Sequence, residues 1–191
     1  CGHRCGVRRT DIVVKEPSSP TDGNQLQAVV VTENAQDVVE IDLDRWGALA
    51  EDVLRAEGAS GELTLTFVDI ADIVELKVEH FGDAGEHPTD VLSFPIDDED
   101  PVIGGVPRLL GDVVVCPEVA MGQAPAHAGT FDDEVALLVV HGILHILGFD
   151  HATESEQTEM QAREREHLMN SFWQGEMPKG FSFDHRSEVG S

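Results

Sequence analysis

The sequence predicts an α+β domain, in which a small mixed β-sheet of about four strands packs with helices. Short β-branched or alternating runs, typical of strands, are interspersed with segments of helical periodicity. Their order, strand–helix–strand–helix–strand–strand–helices, is typical of one mixed domain rather than of separate units. The chain has 191 residues, of which 41% are hydrophobic, and this is enough for a single core of ordinary size.

The first half of the chain predicts two strand–helix pairs. Residues 27–32 form a β-branched run that is typical of a buried strand. An apolar stripe predicts an amphipathic helix over Leu43–Glu57, with Asp42 as its N-cap. Residues 62–69 alternate between apolar and polar side chains, as a half-buried strand does, and a shorter helix is expected over 71–80.

The second half predicts two further strands. Two prolines bracket a short strand at 90–94, which we therefore expect at an edge or an end of the sheet. Residues 97–108 form an acidic loop that contains glycine, and residues 109–116 form the fourth strand. Pro117 can occupy the first position of a short helix.

Capping residues mark the last two helices. Thr130 is expected to cap an apolar, buried helix whose first turn is acidic, as the helix dipole favours. Thr153 and Glu156 have the spacing of a capping box, which predicts a final helix that reaches about Trp173.

We expect one domain, residues 27–175, between two flexible tails at 1–26 and 176–191 that are polar and rich in turn-forming residues. No apolar run approaches the roughly 18 residues that cross a bilayer, so no membrane partner is expected. The first thirty residues contain no apolar stretch of the kind found in secretory signals. Because the cysteines are only three in number, a reducing, cytoplasmic setting is expected.

The formal net charge is −25, with 37 acidic residues against 12 lysines and arginines. Such a surface favours solubility and counts against nucleic-acid binding over the whole surface, which normally depends on basic residues. A nucleic-acid ligand would need a local cleft that is less negative than the rest. We expect the region around residues 141–151 to be such a cleft.

Three histidines in this region form the pattern H-x-x-x-H-x-x-G-x-x-H. His141 and His145 lie four residues apart, so a helix places them on one face, in a zincin-like arrangement. Gly148 can end the helix in a left-handed conformation, which lets the chain turn and bring His151 back toward them. Three imidazoles without a cysteine are typical of a catalytic site that holds one Zn²⁺ and leaves a coordination position open.

The proton-transfer group is less well defined. Zincin proteases carry a glutamate directly after the first histidine, whereas this chain has Gly142 there. Asp150 and Asp112 are the candidate catalytic acids. Asp150 could act as a base, could orient a ligand histidine, or could simply be a turn residue. Asp112 could orient a ligand histidine or form a hydrogen bond at the end of a strand.

Three sequence elements resemble one known family. The stretch His141–His151 resembles the H-G-x-L-H-L-x-G-[YF]-D-H signature of the YbeY family. Pro88–Pro95 is similar to that family's P-T-D-V-L-S-F-P stretch, and Leu110–Val113 resembles its L-G-D-I element. All three occur in the family's order.

The resemblance implies a zinc-dependent endoribonuclease that is specific for single-stranded RNA. It also implies a role in ribosomal RNA maturation, notably at the 3′ end of the small-subunit RNA, and in ribosome quality control. The partners would be single-stranded RNA and the ribosome or its small subunit, and His141, His145 and His151 carry over as the zinc ligands. Two alternatives remain open, namely a ribosome-assembly binding factor whose zinc is mainly structural and a zincin-like peptide or amide hydrolase, which Gly142 disfavours.

One departure from the family concerns the phosphate contact. Many members place an arginine a few residues before the P-T-D motif, but residues 76–87 contain none. Lys77, His80 or His87 could supply a cation instead, or they could be solvated loop residues. A lysine does not reproduce the two parallel hydrogen bonds that an arginine forms with phosphate.

Overall fold

A computed structural model of the chain describes residues 11–13, 28–82, 87–96 and 108–183, and of residues 11–13 it describes only the backbone. The strands are β1 Asp11–Val13, β2 Ala28–Asn34, β3 Gly61–Phe67, β4 Val91–Pro95 and β5 Leu109–Val115. The helices are α1 Leu43–Ala56, α2 Ile70–Phe81, α3 Pro117–Gln123, α4 Phe131–Ile146 and α5 Glu154–His167, with a short 3₁₀ turn at Ala124–Ala126 and a π turn at Leu168–Phe172. The predicted α+β class is confirmed.

The strands form a mixed sheet in the order β1-β2-β3-β5-β4. Strands β2, β3 and β5 run parallel to one another, whereas β4 is antiparallel to β5 and β1 is antiparallel to β2. Strand β4 lies at one edge, where its flanking prolines need not donate to a neighbouring strand. The prediction from the two prolines is therefore correct.

Strand β1 is the feature that the sequence did not predict, because it lies inside the expected tail at 1–26. Its residues pair with Thr32–Asn34 of β2, so the sheet has five strands among the described residues rather than about four. The free edge of β2 offers unpaired N–H and C=O groups that any short extended segment can satisfy. Three residues are too few to give a periodic signal, which is why the strand was missed.

The sheet separates two apolar clusters. Helices α1 and α4 pack on one face and form the larger core with β2, β3 and β5. A smaller cluster on the other face includes Ile73 of α2, Leu92 and Val114. Helix α4 is buried along nearly its whole length, so its C-terminal residues are held rigidly against β4 and β5. None of the described helices is both long and apolar enough to cross a membrane.

The three predicted N-caps are confirmed, and Asp42 accepts a hydrogen bond from the backbone of Arg45. The Thr130 side chain accepts a hydrogen bond from the backbone of Asp133, and Thr153 with Glu156 forms a complete capping box. Within the segment expected as a C-terminal tail, residues 176–191, Phe181 and Phe183 are buried. The Phe181 ring packs against Trp173, and the Phe183 ring packs against Phe181. Aromatic side chains bury large apolar areas even when the backbone is irregular. Residues 184–191, and 97–107 of the predicted acidic loop, lie outside the described residues.

Candidate metal centre

The C-terminal end of α4 brings the three predicted histidines together. Gly148 has a φ of 89°, which allows the chain to reverse directly after the helix. Ring centroids then lie 4.6 Å apart for His141 and His145, 5.5 Å for His141 and His151, and 5.0 Å for His145 and His151. One ring nitrogen from each residue lies within 4.8 Å of the others.

Two of these rings are oriented by hydrogen bonds through Nδ1. Nδ1 of His141 lies 2.7 Å from Oε1 of Glu164, and Nδ1 of His145 donates to the carbonyl oxygen of Phe149 at 3.0 Å. The Nε2 atoms of the two histidines face each other at 3.1 Å. With both Nδ1 atoms acting as donors, two Nε2 lone pairs point toward one place, and this arrangement suits a cation.

The spacing of these atoms fits a metal ion. Two nitrogens that are each 2.0–2.1 Å from one ion, at a tetrahedral angle, lie about 3.3 Å apart. The observed 3.1 Å between the Nε2 atoms of His141 and His145 is close to this value. An all-imidazole donor set suits Zn²⁺, and the three histidines form the one group of this kind that the described residues contain.

Glu164 is the residue of this centre that sequence reasoning missed. Its side chain is 1% exposed, and burial raises its pKa to about 8. A positive charge at the histidines would favour its ionised form, in which it accepts the Nδ1 proton of His141. Oε2 has no hydrogen-bond partner among the described atoms. The available signal was its position in α5, because Met160, Glu164 and Leu168 recur at helical spacing and form the buried stripe. An acidic side chain within an apolar stripe needs a specific partner, which here is His141.

The surroundings of His145 favour the form that binds metal. Burial lowers the pKa of His145, and the charge of His151 lowers it further. The hydrogen bond to Phe149 and the carboxylate of Asp150 act in the opposite direction with smaller effect. Since only neutral imidazole binds a metal, the net shift keeps His145 available as a ligand.

Gly142 is required by packing. A Cβ atom at this position would lie 2.6 Å from Cγ1 of Val113 and 3.2 Å from Oγ of Ser93. The Ser93 hydroxyl also donates to the carbonyl oxygen of Gly142 at 3.1 Å, which ties α4 to β4. The position therefore faces the sheet, and the glutamate of a zincin protease could not be accommodated there.

The two predicted acids occupy different places. Asp150 is exposed, and its Oδ1 accepts a hydrogen bond from the backbone N–H of His151 at 2.7 Å. Asp112 pairs across the sheet with Phe94, so the two side chains share one face. The neighbouring Ser93 contacts α4, and alternation along β4 places Phe94 and Asp112 on the opposite face. The structure thus brings Asp150, and not Asp112, close to the histidines.

The three cations suggested for phosphate binding also lie on the face opposite α4. Phe94 stacks against His80 of α2, with ring centroids 4.5 Å apart. Nδ1 of His80 donates to the carbonyl oxygen of Leu76, and Nζ of Lys77 donates to that of His87. These contacts tie the predicted cations to α2 and its following loop rather than to the histidines.

The family model described as endoribonuclease YbeY matches residues 31–171. This chain belongs to the YbeY family. The match extends from β2 to the π turn after α5, and it therefore includes the three histidines and Glu164.

Several YbeY relatives are similar over most of the described domain. Endoribonuclease YbeY of Salinispora tropica is 42% identical over 133 residues, which cover 64% of this chain and 83% of the relative. That of Leifsonia xyli subsp. xyli is 41% identical over 143 residues, covering 73% and 92% respectively. A solution structure of a Thermotoga maritima protein is 29% identical, covers 66% of this chain and 79% of its own, and has a TM-score of 0.48.

The other YbeY-like motifs build the scaffold of the centre. Asp90 of the P-T-D element is 5% exposed, and its Oδ1 accepts from the backbone N–H of Val91. Its carbonyl oxygen accepts from the N–H of Cys116, which joins the beginning of β4 to the end of β5. In the L-G-D element, Gly111 has a φ of 146° and lies against the backbone of Phe94. Both motifs therefore set the position of the two strands that support α4.

Proposed function

We propose that this chain is a zinc-dependent endoribonuclease that cleaves single-stranded RNA, with His141, His145 and His151 as the metal ligands. The observation that carries the proposal is the convergence of three imidazoles whose Nδ1 atoms, in two cases, are already occupied by acceptors. Membership of a family described as endoribonuclease supports RNA as the substrate.

The protein's own contribution is to prepare the donor set. Glu164 and the Phe149 carbonyl fix the tautomers of two histidines, so that each presents Nε2. When bound, Zn²⁺ would supply Lewis-acid stabilisation of the negative charge that develops on a phosphodiester during cleavage. Within the described residues, three histidines and no fourth protein donor form the group, which is the pattern of catalytic sites rather than of closed structural ones.

Of the two predicted acids, we propose a role at the centre for Asp150 alone. Its hydrogen bond to the N–H of His151 supports a function in holding the histidine loop. Because its side chain is exposed, it can also exchange protons with solvent. Asp112 is left out because it lies across the sheet.

The cellular role follows from the family resemblance. We propose that the RNA is ribosomal, that cleavage concerns maturation of the 3′ end of the small-subunit RNA together with ribosome quality control, and that the protein works on the ribosome or its small subunit in the cytoplasm. The alternative is an assembly factor with a mainly structural zinc, and the absence of an arginine in residues 76–87 favours it.

Cleavage of a single-stranded RNA by purified protein, with and without a chelator, tests metal dependence and substrate class together. We expect cleavage that stops on chelation and returns with Zn²⁺, and no cleavage by the His141→Ala variant. A folded His141→Ala variant that still cleaves would contradict the metal mechanism. Failure of this variant to fold, together with loss of structure on chelation, would support the structural alternative.

A further inference from the structure

Two openings lie near the C-terminal end of α4, and they have no lining residue in common. The first lies beside α5 and includes His141, His151 and Glu164. The second, which we call the strand-end groove, lies where α4 ends, between the beginning of β5 and the end of β4. It is lined by Arg108, Pro95, Ile96, Ser60, Leu147 and Phe149, among others. The two openings differ in size and in charge.

The opening beside α5 is too small for a nucleotide. Its volume is about 30 Å³, whereas pockets for small organic ligands measure roughly 300–1,000 Å³. Phe183 forms one wall and is 8% exposed. Its carbonyl oxygen accepts a hydrogen bond from Nε2 of Gln161, and the guanidinium of Arg165 lies over its ring at 5.2 Å. Phe183, which lies beyond the family match, thus closes this side.

The strand-end groove is large enough for a nucleotide, and it reaches the loop between His145 and His151. Its volume is about 430 Å³. Phe149 lines the groove, and its carbonyl oxygen accepts a hydrogen bond from Nδ1 of His145 at 3.0 Å. A chain segment in the groove would therefore lie beside the histidines. Phe149 is half-buried and offers an aromatic surface of the kind on which single-stranded bases stack.

Arg108 distinguishes this groove electrostatically. Arg45, Arg55 and Arg163 each form an ion pair with an acid, and Arg165 packs on Phe183. Arg108 is exposed and forms no ion pair with any acid that the structure describes. Glu57, the acid lining the groove, is bound to His167 at 2.7 Å and lies 3.7 Å from Arg163. In a chain of net charge −25, a guanidinium without an acidic partner among the described residues is unusual.

We propose that the strand-end groove binds single-stranded RNA next to the cleavage site, and that Arg108 contacts a backbone phosphate there. A guanidinium can form two parallel hydrogen bonds with a phosphate, which fixes the strand as well as attracting it. Arg108 would thereby supply the arginine–phosphate contact that residues 76–87, which contain no arginine, cannot supply. This inference rests on the proposed ribonuclease function, since the groove has no evident purpose without an RNA strand at the metal centre.

The test is binding of a fluorescein-labelled, single-stranded octauridylate to the metal-loaded protein, followed by fluorescence anisotropy at several salt concentrations. Measurement at 4 °C, with the intact oligonucleotide checked on a gel, separates binding from cleavage. We expect Arg108→Ala to weaken binding about tenfold and to reduce the slope of log K against log salt by about 0.7, the value for one phosphate contact on a single strand. Arg108→Lys should retain the slope and recover part of the affinity.

Arg55→Ala is the matched control, because Arg55 is an exposed arginine on α1 that pairs with Asp52. It should bind as the wild type does, and Phe183→Ala should likewise leave the salt slope unchanged. Unaltered affinity and slope in Arg108→Ala would overturn the inference. If the wild type cleaves RNA in a chelator-sensitive way while Arg108→Ala binds normally, only the groove assignment fails. If the wild type neither binds nor cleaves single-stranded RNA, the proposed function fails as well.

Discussion

Glu164 holds His141 by a buried contact of 2.7 Å between Oε1 and Nδ1, across 23 residues of sequence. The side chains are 1% and 5% exposed, so the contact is shielded from solvent. A carboxylate that accepts the Nδ1 proton leaves Nε2 as the metal-binding atom and increases its basicity. Helix α5 therefore contributes to the candidate metal centre although none of the three histidines belongs to it.

Replacement of Glu164 by glutamine should weaken Zn²⁺ binding by about 10–100-fold, because the amide retains an acceptor but loses the negative charge. Competition with a chromophoric chelator measures the affinity directly. Glu166→Gln is the matched control, since Glu166 lies on the same helix but is exposed and pairs with Arg163. Equal affinities of the two variants would show that Glu164 does not support His141.

Gly142→Ala should destabilise the protein by about 1–2 kcal/mol, although alanine is the better helix former. The added Cβ would lie 2.6 Å from Val113, and overpacking of this kind costs roughly 1–3 kcal/mol. Chemical denaturation gives the free energy of unfolding. Gly122→Ala, in α3, meets no atom within 4 Å and should be neutral or slightly stabilising. A double variant with Val113→Ala should lose less stability than the sum of the single changes, and simple additivity would refute the contact.

Glu134 should make the stability depend on pH. Its side chain is fully buried, and burial raises its pKa above 4.5, while the hydrogen bond to His127 lowers it to a smaller extent. The folded protein therefore holds this proton at pH values where the unfolded chain has lost it. The resulting stabilisation is complete below about pH 4.5 and is lost as the pH rises through the folded-state pKa.

Glu134→Gln should remove this component, so that the stability of the metal-free variant falls less between pH 4.5 and 8 than that of the wild type. Denaturant titrations in the presence of a chelator, repeated across this range, provide the comparison. The control is Glu159→Gln, which changes an exposed residue of α5. Parallel curves for the wild type and Glu134→Gln would mean that Glu134 is ionised throughout.

The role of Asp150, as a residue that holds the histidine loop or as a base, can be determined by comparing two substitutions. Asparagine keeps an oxygen that can accept from the N–H of His151, whereas alanine does not. If Asp150 holds the histidine loop, Asp150→Asn should retain Zn²⁺ affinity and most RNA cleavage, and Asp150→Ala should lose both. Loss of cleavage in Asp150→Asn with normal Zn²⁺ affinity would identify a base instead. Asp112→Asn should leave the metal affinity unchanged, because Asp112 lies across the sheet.

The sequence predicted those features that depend on local chemistry. Helix α4 and its N-cap Thr130, the break after the helix at Gly148, and the histidine trio itself follow from residue types at fixed spacing along one segment. The two prolines that flank β4 placed this strand at an edge, because a proline ring cannot donate to a neighbour. Each of these statements needs only the periodicity and hydrogen-bonding capacity of consecutive residues.

The sequence by itself therefore determined the fold class and the group of three histidines that could hold a metal ion, whereas the surroundings of this group were decided by the tertiary structure. Glu164 contacts His141 from a distant segment, Arg108 lines the strand-end groove from another, and the pleat of β5 places Asp112 on the face opposite α4. Such relationships depend on how strands pair and helices pack, and they leave no periodic pattern in the sequence. Only the tertiary structure could show which acid contacts His141 and which cation lines the groove.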